Sequence, residues 1–366
     1  MTGGPTTAGR DPAAADPPLV AHLREQADAC AGMGSPLYAD LLRRCVADLV
    51  DPGAPDTVRA VLAGRHDAPG PAATGLRLLG AVHHLVLTGR APALAAHYPS
   101  VGGTPGPGTW PVVRDVLAAH ADEVVAFLNG PPQTNEVGRS AALVGGLLRV
   151  LAGRDLPVRL HEIGSSAGLN LNADRYRVQA GPDGGWWGPP GSPVQLADAW
   201  HGTVPDVTAP LRVVERLGTD VAPVDLRRPG AAERLLAYVW ADQVDRVRRT
   251  RAALALAAVH PVTVEPVDAV TAVGRLELRP GHLTVLWHSV MWQYLSRPDQ
   301  ARVGELLARF GATATADAPL VELSLEPERP APGARHEFLV AARTWPGGER
   351  VVLGTSVGHG VPTRWH

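Results

Sequence analysis

The sequence predicts an α/β protein in which an all-helical N-terminal domain precedes a mostly parallel sheet covered by helices on both faces. Three observations predict this class. Apolar residues recur at helical spacing over residues 19–151. Short apolar runs alternate with helical segments after Pro157, which is typical of a parallel sheet. A hairpin signal lies at residues 345–349, near the end of the 366-residue chain.

Composition excludes several classes of partner. The net charge of −2 and pI near 6.7 provide no basic surface for nucleic acid or an anionic membrane. No apolar run approaches the ~20 residues of a membrane span. The two cysteines form no CxxC pair and no histidines show metal-ligand spacing, so we expect a cytoplasmic protein without a metal, acting on a small molecule.

The N-terminal part divides into a lead and a helical domain. Residues 1–18 are rich in Gly, Pro, Ala and Thr and lack the apolar core of a signal peptide, so we expect a disordered lead. In residues 19–151, Leu37, Leu41 and Leu42 fall on one helical face, and breaks at 51–55 and 101–111 separate about five or six helices.

A polar cluster precedes the apolar helix at residues 141–151. Its side chains with hydrogen-bonding groups are Gln133, Thr134, Asn135, Glu136 and Arg139. In one interpretation Thr134 or Asn135 caps the helix and Glu136 complements its dipole. In the other, the cluster faces the pocket of the next domain, and both interpretations stay open at this point.

The stretch 158–170 predicts a strand, a tight turn and a helix that starts at Ala167. Glu162 ends the apolar run, and Gly164 and Gly168 flank small residues, among them Ser165 and Ser166. Glycine permits the backbone angles of such a turn and lets the main chain approach a ligand closely. The N-terminus of a following helix offers unpaired N–H groups. This pattern predicts that a ligand is held there.

Residues 181–210 are rich in Trp, Gly and Pro and contain few periodic apolar residues. We interpret them as an inserted loop that can form a lid. Trp186, Trp187 and Trp200 either line a pocket or anchor this loop on the core.

The remaining elements continue the alternation. Strands are predicted at 211–220, ending in Asp220, at 263–270, with Asp268 near its end, at 283–294 and at 319–325. Helices are predicted at 231–258 and 297–310, and two strands flank 345–349 as an antiparallel edge of the sheet. Ligands bind beyond the carboxyl ends of such strands. We therefore expect 162–168, Asp220, 268–269 and 288–294 to converge.

Two ligand classes compete for this edge. A dinucleotide site typically shows GxGxxG with helix N–H groups on the pyrophosphate. Here an acid, Glu162, precedes the first glycine, and a carboxylate repels phosphates but attracts the ammonium of a methionine group. The order of residues favours the adenosyl group of S-adenosylmethionine over a dinucleotide.

These motifs carry two resemblances. The Glu-x-Gly-x-x-x-Gly pattern at 162–168, Gly-Thr-Asp at 218–220, Asp-Ala at 268–269 and the late hairpin together resemble a class I S-adenosylmethionine-dependent methyltransferase. More closely, segments 132–139, 162–176, 216–226 and 345–348 resemble a bacterial family known as domain of unknown function 2332, from about Ala21 onward. The first resemblance implies a Rossmann-like class I methyltransferase sheet in residues 152–366; the second carries no assigned reaction.

The methyltransferase resemblance also implies roles for individual residues. Gly164 and Gly168 would let the backbone pass the methionine moiety, with Ser165 and Ser166 between them where a glycine is common. Asp220 would bind the ribose hydroxyls. The remaining cofactor contacts implied are Glu162 to the methionyl amine, Asp268 to the adenine amino group and Ala269 beside the ring. The pocket would add Gln133, Asn135, Arg139, Asn170 and Trp292.

A sulfonium makes its attached carbons electrophilic, so catalysis would consist mostly of aligning a nucleophile, with help from a base. His288 is the base best placed by sequence, with Glu136 and Tyr294 as lesser candidates. The alternative for His288 is a buried histidine bonded to backbone at a strand end. Trp292 and Tyr294 either hold the sulfonium through cation–π contact or face the core. The fourth strand ends in Trp-His-Ser, without the usual acidic or Asn-Pro signature.

Four functions remain in competition. The first is a methyltransferase acting on a small molecule, with the helical domain and residues 181–210 as an acceptor lid. The second is an enzyme in which the aminobutyrate arm of S-adenosylmethionine attacks itself, releasing methylthioadenosine and a small cyclic amino acid. The third is a non-catalytic cofactor-binding protein, because fold does not fix function. A dinucleotide oxidoreductase is the least favoured. The sequence specifies neither the acceptor nor the oligomeric state.

Overall fold

A computed structural model describes residues 17–65, 73–130, 132–329 and 333–366. These residues form a mixed α/β protein with a large, mostly parallel sheet and helices, as predicted at that level. The predicted lead lies outside the described residues up to residue 16, and the first helix begins at Pro17. No helix in the described part of the chain is both long enough and apolar enough to cross a bilayer.

The α-helices are numbered in chain order. They are α1 (Pro17–Gly32), α2 (Pro36–Val50), α3 (Thr57–Val61), α4 (Thr74–Leu87), α5 (Pro92–Ala95), α6 (Thr109–Ala119), α7 (Ala121–Leu128), α8 (Ser140–Val150), α9 (Ala231–Ala237), α10 (Val244–Val259), α11 (Ala269–Gly274) and α12 (Arg297–Gly311). Short 3-10 helices lie at Pro99–Val101, Val137–Arg139, Leu169–Arg175 and Trp292–Tyr294.

The chain divides into two compact units. Unit 1 combines the described residues of Met1–Gln133 with Glu233–Val247, and unit 2 comprises Thr134–Ala232 and Arg248–His366. The predicted boundary after residue 151 therefore lies inside unit 2, together with α8. A segment from the second half of the chain belongs to unit 1, which a division into consecutive pieces of sequence does not anticipate.

Unit 1 is built from helices around an apolar core. In α2, Leu37, Leu41 and Leu42 are buried on one face, as their spacing predicts. The start of α2 is held by the returning segment, because Asp242 accepts hydrogen bonds from the Ser35 hydroxyl (2.6 Å, Oγ to Oδ1) and the Leu37 N–H (2.9 Å, N to Oδ2). This long-range cap ties residues 233–247 to the N-terminal helices.

Unit 2 contains the sheet. Its strands are β1 (Val158–Ile163), β2 (Arg177–Ala180), β3 (Trp186–Trp187), β4 (Gln195–Gly202), β5 (Val213–Asp220), β6 (Thr263–Pro266), β7 (Leu283–Ser289), β8 (Leu320–Glu328), β9 (Glu337–Trp345), β10 (Glu349–Ser356) and β11 (Thr363–Trp365). Over the described residues the spatial order is β3-β2-β4-β11-β10-β9-β8-β7-β1-β5-β6.

Five consecutive strands of this sheet, β6-β5-β1-β7-β8, are parallel. The chain runs outward from β1 to β5 and β6, then crosses to β7 on the other side of β1 and continues to β8. The order therefore reverses between β1 and β7, and the carboxyl ends of these strands share one edge. Every residue of β7 is buried, as expected for a central parallel strand.

Helices cover both faces of the parallel strands. On one face, α11 and α12 pack on Ile163, Leu286 and Leu320. On the other face, α8 approaches closely because it carries two glycines: a β-carbon at Gly146 would lie 2.7 Å from Leu323 Cδ1. Alternate residues of each strand therefore face different helices.

The prediction of a loop at residues 181–210 was wrong for two segments. These residues contain β3 and β4, and β4 pairs in parallel with β11 near the end of the chain. The indole N–H of Trp200 in β4 donates to the Ala141 carbonyl at 2.8 Å (Nε1 to O), and Trp187 donates to Ala209 at 3.1 Å (Nε1 to O). Both side chains are buried, so they anchor the segment on the core.

Three other predictions changed in detail. The hairpin at 345–349 is confirmed as β9 and β10, but it is not an edge, because β11, β4, β2 and β3 extend the sheet beyond it. The predicted helix at 231–258 is two helices, α9 and α10, on either side of a break. The helix predicted from Ala167 is a 3-10 helix of seven residues that starts at Leu169.

Candidate functional site

The turn after β1 has the left-handed backbone that its glycines predicted. Gly164 has φ +69° and Gly168 has φ +72°, and Ser166 between them has φ +53°. A β-carbon on Gly164 would lie 3.0 Å from both Cβ and Cγ of Met291. Glycine is therefore required at position 164 for two reasons: the backbone angle, and the packing of Met291 against the turn.

The backbone N–H groups of this turn are largely satisfied by the protein itself. Ser165 donates to Thr219 O (3.1 Å), Ser166 to Asp220 Oδ2 (2.9 Å) and Gly168 to Ser165 O (2.8 Å). Leu169 N, at the start of the 3-10 helix, donates to Asn135 Oδ1 at 2.8 Å. The unpaired helix N-terminus that the sequence predicted is therefore absent from this described turn, and these four groups form no phosphate cradle.

Asp220 lies where predicted, at the carboxyl end of β5 beside the turn. Its Oδ2 accepts the Ser166 N–H, and its Oδ1 accepts the Ala222 N–H at 2.9 Å. The side chain is half-buried. A carboxylate has about four acceptor positions, so each oxygen retains capacity for a ligand hydroxyl.

Asp268 and Ala269 follow β6, but their side chains have local partners. Asp268 caps α11, accepting from Thr271 N (2.9 Å) and Thr271 Oγ1 (2.7 Å), and these hydrogen bonds hold the pKa of its exposed carboxyl below the usual range. Ala269 is buried in the core with Val273 and Leu306. Asp268 is therefore accessible, whereas Ala269 is a packing residue.

Glu162, the penultimate residue of β1, is a buried acid with 3% of its surface exposed and no hydrogen-bond partner for Oε2. Burial raises the pKa of this carboxyl to about 8, although the Asn170 side chain and the Arg139 guanidinium act in the opposite direction. The carboxyl group is therefore mostly neutral at pH 7. A positive charge brought next to it would favour its ionised form.

The polar cluster at 133–139 forms mainly structural hydrogen bonds. Glu136 Oε1 accepts the Gly138 N–H (3.1 Å) at the start of the 3-10 helix Val137–Arg139, so it is Glu136 that acts as a cap. Arg139 donates to Gly358 O (3.0 Å from Nε) and Ser289 O (3.2 Å from Nη1).

Two other predicted pocket residues, Asn170 and Gln133, lie in different parts of the structure. Asn170 Oδ1 accepts the Ser140 hydroxyl at 2.8 Å from Oγ, on the same side of β1 as Glu162. Gln133 falls in unit 1, whereas the other predicted pocket residues belong to unit 2.

His288, at the end of β7, is bonded to carboxylates and not to backbone. Its Nδ1 donates to Glu326 Oε1 at 2.8 Å, its Nε2 lies 3.6 Å from Glu322 Oε1, and its ring stacks on Trp292 with centroids 5.0 Å apart. Burial lowers the pKa of the imidazole, but Glu322 and Glu326 outweigh it and raise the pKa to about 9. The two carboxylates therefore favour the cationic imidazole over the neutral form that a base requires.

Glu326 also holds the loop that follows β7. The Oε1 that accepts from His288 accepts the N–H groups of Met291 (3.2 Å) and Trp292 (3.3 Å), whereas Oε2 has no partner. Val290 in this loop has φ +52°, an unfavourable angle for a β-branched residue. Tyr294 is 67% exposed and takes no part in these contacts, so the structure does not bring it to the site.

Beside His288 the sheet forms a polar cleft with a cavity volume of about 380 Å³. It is lined by His288, Trp292, Gln293, Gly304, Glu322, Ser324, Glu326, Pro327, Glu328, Ala341, Arg343 and Arg350. Apart from His288, Trp292 and Gln293, which lie in the predicted segment 288–294, sequence reasoning missed these residues. The available signal was the alternation of Glu322, Ser324 and Glu326 along a strand, which puts three polar side chains on one face.

The whole chain can be compared with known proteins. A family model described as "Uncharacterized protein conserved in bacteria (DUF2332)" matches residues 20–365. The chain belongs to this family. No match was found among curated proteins or solved structures. The family description names no reaction, so function is argued from the site itself.

Proposed function

We propose that the protein is an S-adenosylmethionine-dependent methyltransferase of small molecules, with a Rossmann-like class I sheet in unit 2. One observation carries the proposal. The strand order reverses beside β1, and Asp220 at the end of the neighbouring β5 accepts the Ser166 N–H of the glycine turn after β1, at 2.9 Å from N to Oδ2. Ligands of doubly wound sheets bind at this point.

The hydrogen bonds of the turn support a ligand without a pyrophosphate. A dinucleotide site presents free backbone N–H groups and a helix N-terminus to its phosphates. Here Ser165, Ser166, Gly168 and Leu169 already donate to protein acceptors, and only a 3-10 helix follows. Asp220, by contrast, retains acceptor capacity for the hydroxyls of a ribose.

Glu162 supports a cationic ligand at the other end of the turn. Its Oε2 is buried without a partner, and leaving a buried acceptor unpaired is unfavourable. An ammonium group placed against it would supply the missing hydrogen bonds and stabilise the carboxylate. Binding of the methionyl end would then release the proton that burial retains on Glu162 at neutral pH.

When bound, S-adenosylmethionine supplies an electrophilic carbon attached to its sulfonium. The contribution of the chain would be alignment: Gly164 and Met291 shape the turn, and the loop that Glu326 holds lies between the turn and the cleft. Because His288 is protonated, the proposal assigns it a binding role beside the acceptor. The nucleophile would therefore arrive unprotonated or lose its proton to water.

Isothermal titration with S-adenosylhomocysteine and S-adenosylmethionine tests the proposal. Wild type should bind both, and Asp220→Asn should weaken binding about tenfold, because the ribose hydroxyls lose a charged acceptor. Asp225→Asn is the matched control, since Asp225 pairs only with nearby arginines in the following loop among the described residues. Failure of wild type to bind either compound, or tighter binding of a dinucleotide, would refute the proposal.

Product analysis distinguishes three ways in which the protein could use S-adenosylmethionine. After incubation with S-adenosylmethionine and a pool of bacterial metabolites, methyl transfer yields S-adenosylhomocysteine. Attack by the aminobutyrate arm instead yields methylthioadenosine. Binding without either product would indicate a non-catalytic cofactor-binding protein.

A further inference from the structure

The cleft beside His288 carries both signs of charge in equal number. Its charged side chains are the carboxylates of Glu322, Glu326 and Glu328 and the cations of His288, Arg343 and Arg350. Glu328 is paired with Arg350, and Arg343 Nε lies 3.9 Å from Glu322 Oε2. His288 is likewise hydrogen-bonded to Glu326, so each cation has a carboxylate partner and the lining is neutral overall. A ligand with two opposite charges keeps the cleft neutral, whereas a singly charged ligand adds an unbalanced charge.

Buried polar atoms in the cleft lack hydrogen-bond partners. Glu326 is 5% exposed and its Oε2 accepts no hydrogen bond, and His288 is 3% exposed and its Nε2 makes none. The Nε of Arg343 is also without one. The two donors both face the Glu322 carboxylate, at 3.6 Å from His288 Nε2 and 3.9 Å from Arg343 Nε. Glu326 Oε2 has no such neighbour, and leaving a buried acceptor unsatisfied is costly, so this atom is the one that a ligand would satisfy.

The acids and the arginines of the cleft lie on different strands: the three glutamates are on β8, and Arg343 and Arg350 are on β9 and β10. At the first end, the Glu326 carboxylate accepts the backbone N–H of Trp292, whose side chain also lines the cleft, and an aromatic side chain beside a carboxylate suits an ammonium group. At the second end, Arg343 and Arg350 are paired across β9 and β10. Guanidinium groups bind carboxylates through two parallel hydrogen bonds.

A metal ion is the competing occupant for a cluster of acids and histidine. Among the residues that the structure describes, no group of three or more His, Cys, Asp or Glu side chains is arranged to hold one. Arg343 and Arg350 also line this cleft, and their positive charges oppose a second cation. The lining therefore fits an organic ion better than a metal ion.

We propose that this cleft binds a small zwitterion, a molecule with one ammonium and one carboxylate group, with the ammonium at Glu326 and the carboxylate at Arg343. Met291 and Trp292, whose N–H groups both donate to Glu326, connect the cleft to Gly164. The zwitterion is therefore the acceptor substrate, an assignment that rests on the proposed function. Its ammonium group would lose a proton to water, and the nitrogen would attack the methyl carbon as the carbon–sulfur bond breaks and S-adenosylhomocysteine leaves.

The test uses three probes of equal length on the full chain without any cofactor: 4-aminobutanoate, butylammonium and butanoate. Calorimetric titration should show the zwitterion binding at least about tenfold more tightly than either singly charged probe. Glycine and 6-aminohexanoate extend the series and report the distance between the two charged ends. Absence of binding by every zwitterion at millimolar concentration, or equal binding of a singly charged probe, would overturn the proposal.

Two variants locate the ends of the ligand. Glu326→Gln should weaken the binding of 4-aminobutanoate about tenfold. Arg343→Gln should make 4-aminobutanoate bind no more tightly than butylammonium, while the affinity for butylammonium stays unchanged. Arg343 is partly exposed, so its variant keeps the test valid if Glu326→Gln does not fold. Glu305→Gln, an exposed position in α12, is the control and should change neither affinity. Unchanged discrimination in Arg343→Gln would contradict the assignment.

Different experiments test the S-adenosylmethionine site and the zwitterion site, so one proposal can be refuted without the other. The zwitterion titrations contain no nucleoside, and the titration with S-adenosylhomocysteine contains no zwitterion. Loss of nucleoside binding alone would leave the zwitterion site in place but remove its role as an acceptor site. Loss of zwitterion binding alone would leave the methyltransferase proposal with a different acceptor.

Discussion

Glu326 Oε1 lies 2.8 Å from His288 Nδ1, and the same oxygen accepts the N–H groups of Met291 and Trp292. One buried carboxylate in β8 thus contacts the histidine near the end of β7, where it raises the pKa together with Glu322, and also holds the loop that follows. That loop places Met291 against Gly164, so Glu326 holds residues that contact both the cleft and the glycine turn.

The first prediction concerns this loop. Glu326→Gln replaces a charged acceptor with a neutral one, so we expect faster amide hydrogen exchange at residues 290–294 and a loss of about 2 kcal/mol in the free energy of unfolding. Exchange mass spectrometry measures the first and urea unfolding the second. Glu328→Gln, which removes an ion pair of partly exposed side chains, should leave exchange in the loop unchanged. Equal exchange in the two variants would show that Glu326 does not hold the loop.

The second prediction concerns stability and pH through His288. Its pKa rises from 6.5 to about 9 on folding, so its charged form stabilises the fold fully below pH 6.5. This contribution, ~3 kcal/mol at 1.36 kcal/mol per unit, is lost as the pH rises through 9. Urea unfolding of wild type at pH 6, 7.5 and 9.5 should show the loss. Glu326→Gln should show a shallower dependence, and parallel curves would contradict the account.

The third prediction concerns Glu162. Its pKa rises from 4.5 to about 8 on folding, so the folded chain holds a proton that the unfolded chain releases. The free energy of unfolding therefore falls between pH 4.5 and 8, by ~5 kcal/mol through this group. Glu162→Gln has no such proton, so its stability relative to wild type should rise across that interval. A constant difference between the two proteins from pH 5 to pH 8 would refute this origin.

The same substitution should weaken the cofactor site. Under the proposed function, the amide that replaces the carboxyl group in Glu162→Gln cannot ionise, so S-adenosylhomocysteine should bind less tightly and without release of a proton. Titration in two buffers of different ionisation enthalpy measures that proton. A variant that is more stable at pH 8 and binds as well as wild type would separate Glu162 from the ligand.

The fourth prediction concerns the turn. Gly164→Ala introduces both an unfavourable backbone angle and contact with Met291, so we expect a loss of about 2–3 kcal/mol in the free energy of unfolding. Gly281→Ala is a matched control, because Gly281 has φ +71° but no heavy atom within 4 Å of an added β-carbon. It should lose only about 1 kcal/mol. Measured against Met291→Ala alone, the added Gly164→Ala should cost less than it does in wild type, because the contacts with Cγ and Cε are gone while the contact with Cβ remains. Equal losses in Gly164→Ala and Gly281→Ala would contradict the packing argument.

The parts of the fold that the sequence predicted are those with a local signal. The buried run of β7, the hairpin of β9 and β10, and the glycine turn are each specified by neighbouring residues. The strand β4 was missed because it is held by pairing with β11, more than 150 residues later, and by Trp200 packing under α8. Local apolar periodicity contains no information about such a partner.

The candidate site, like the fold, was predicted only where the signal is local. Glu162, Gly164 and Asp220 lie at or directly after the carboxyl ends of strands, and the sequence predicted them as candidates from that position. Glu326 was missed because alternating acids on a strand are typical of a solvent face, and only the pairing of β7 with β8 brings this acid to His288. Glu322 and Glu326 raise the pKa of His288 through that pairing of strands, and the sequence alone does not show this contact.

The most direct test of the central claim is a crystal structure of the protein with S-adenosylhomocysteine. We predict ribose hydroxyls within hydrogen-bond distance of Asp220, the methionyl end beside Gly164 and the amino group near Glu162. Density for the nucleoside at a site remote from Asp220 and Gly164, or a crystal without it at saturating concentration, would contradict the account.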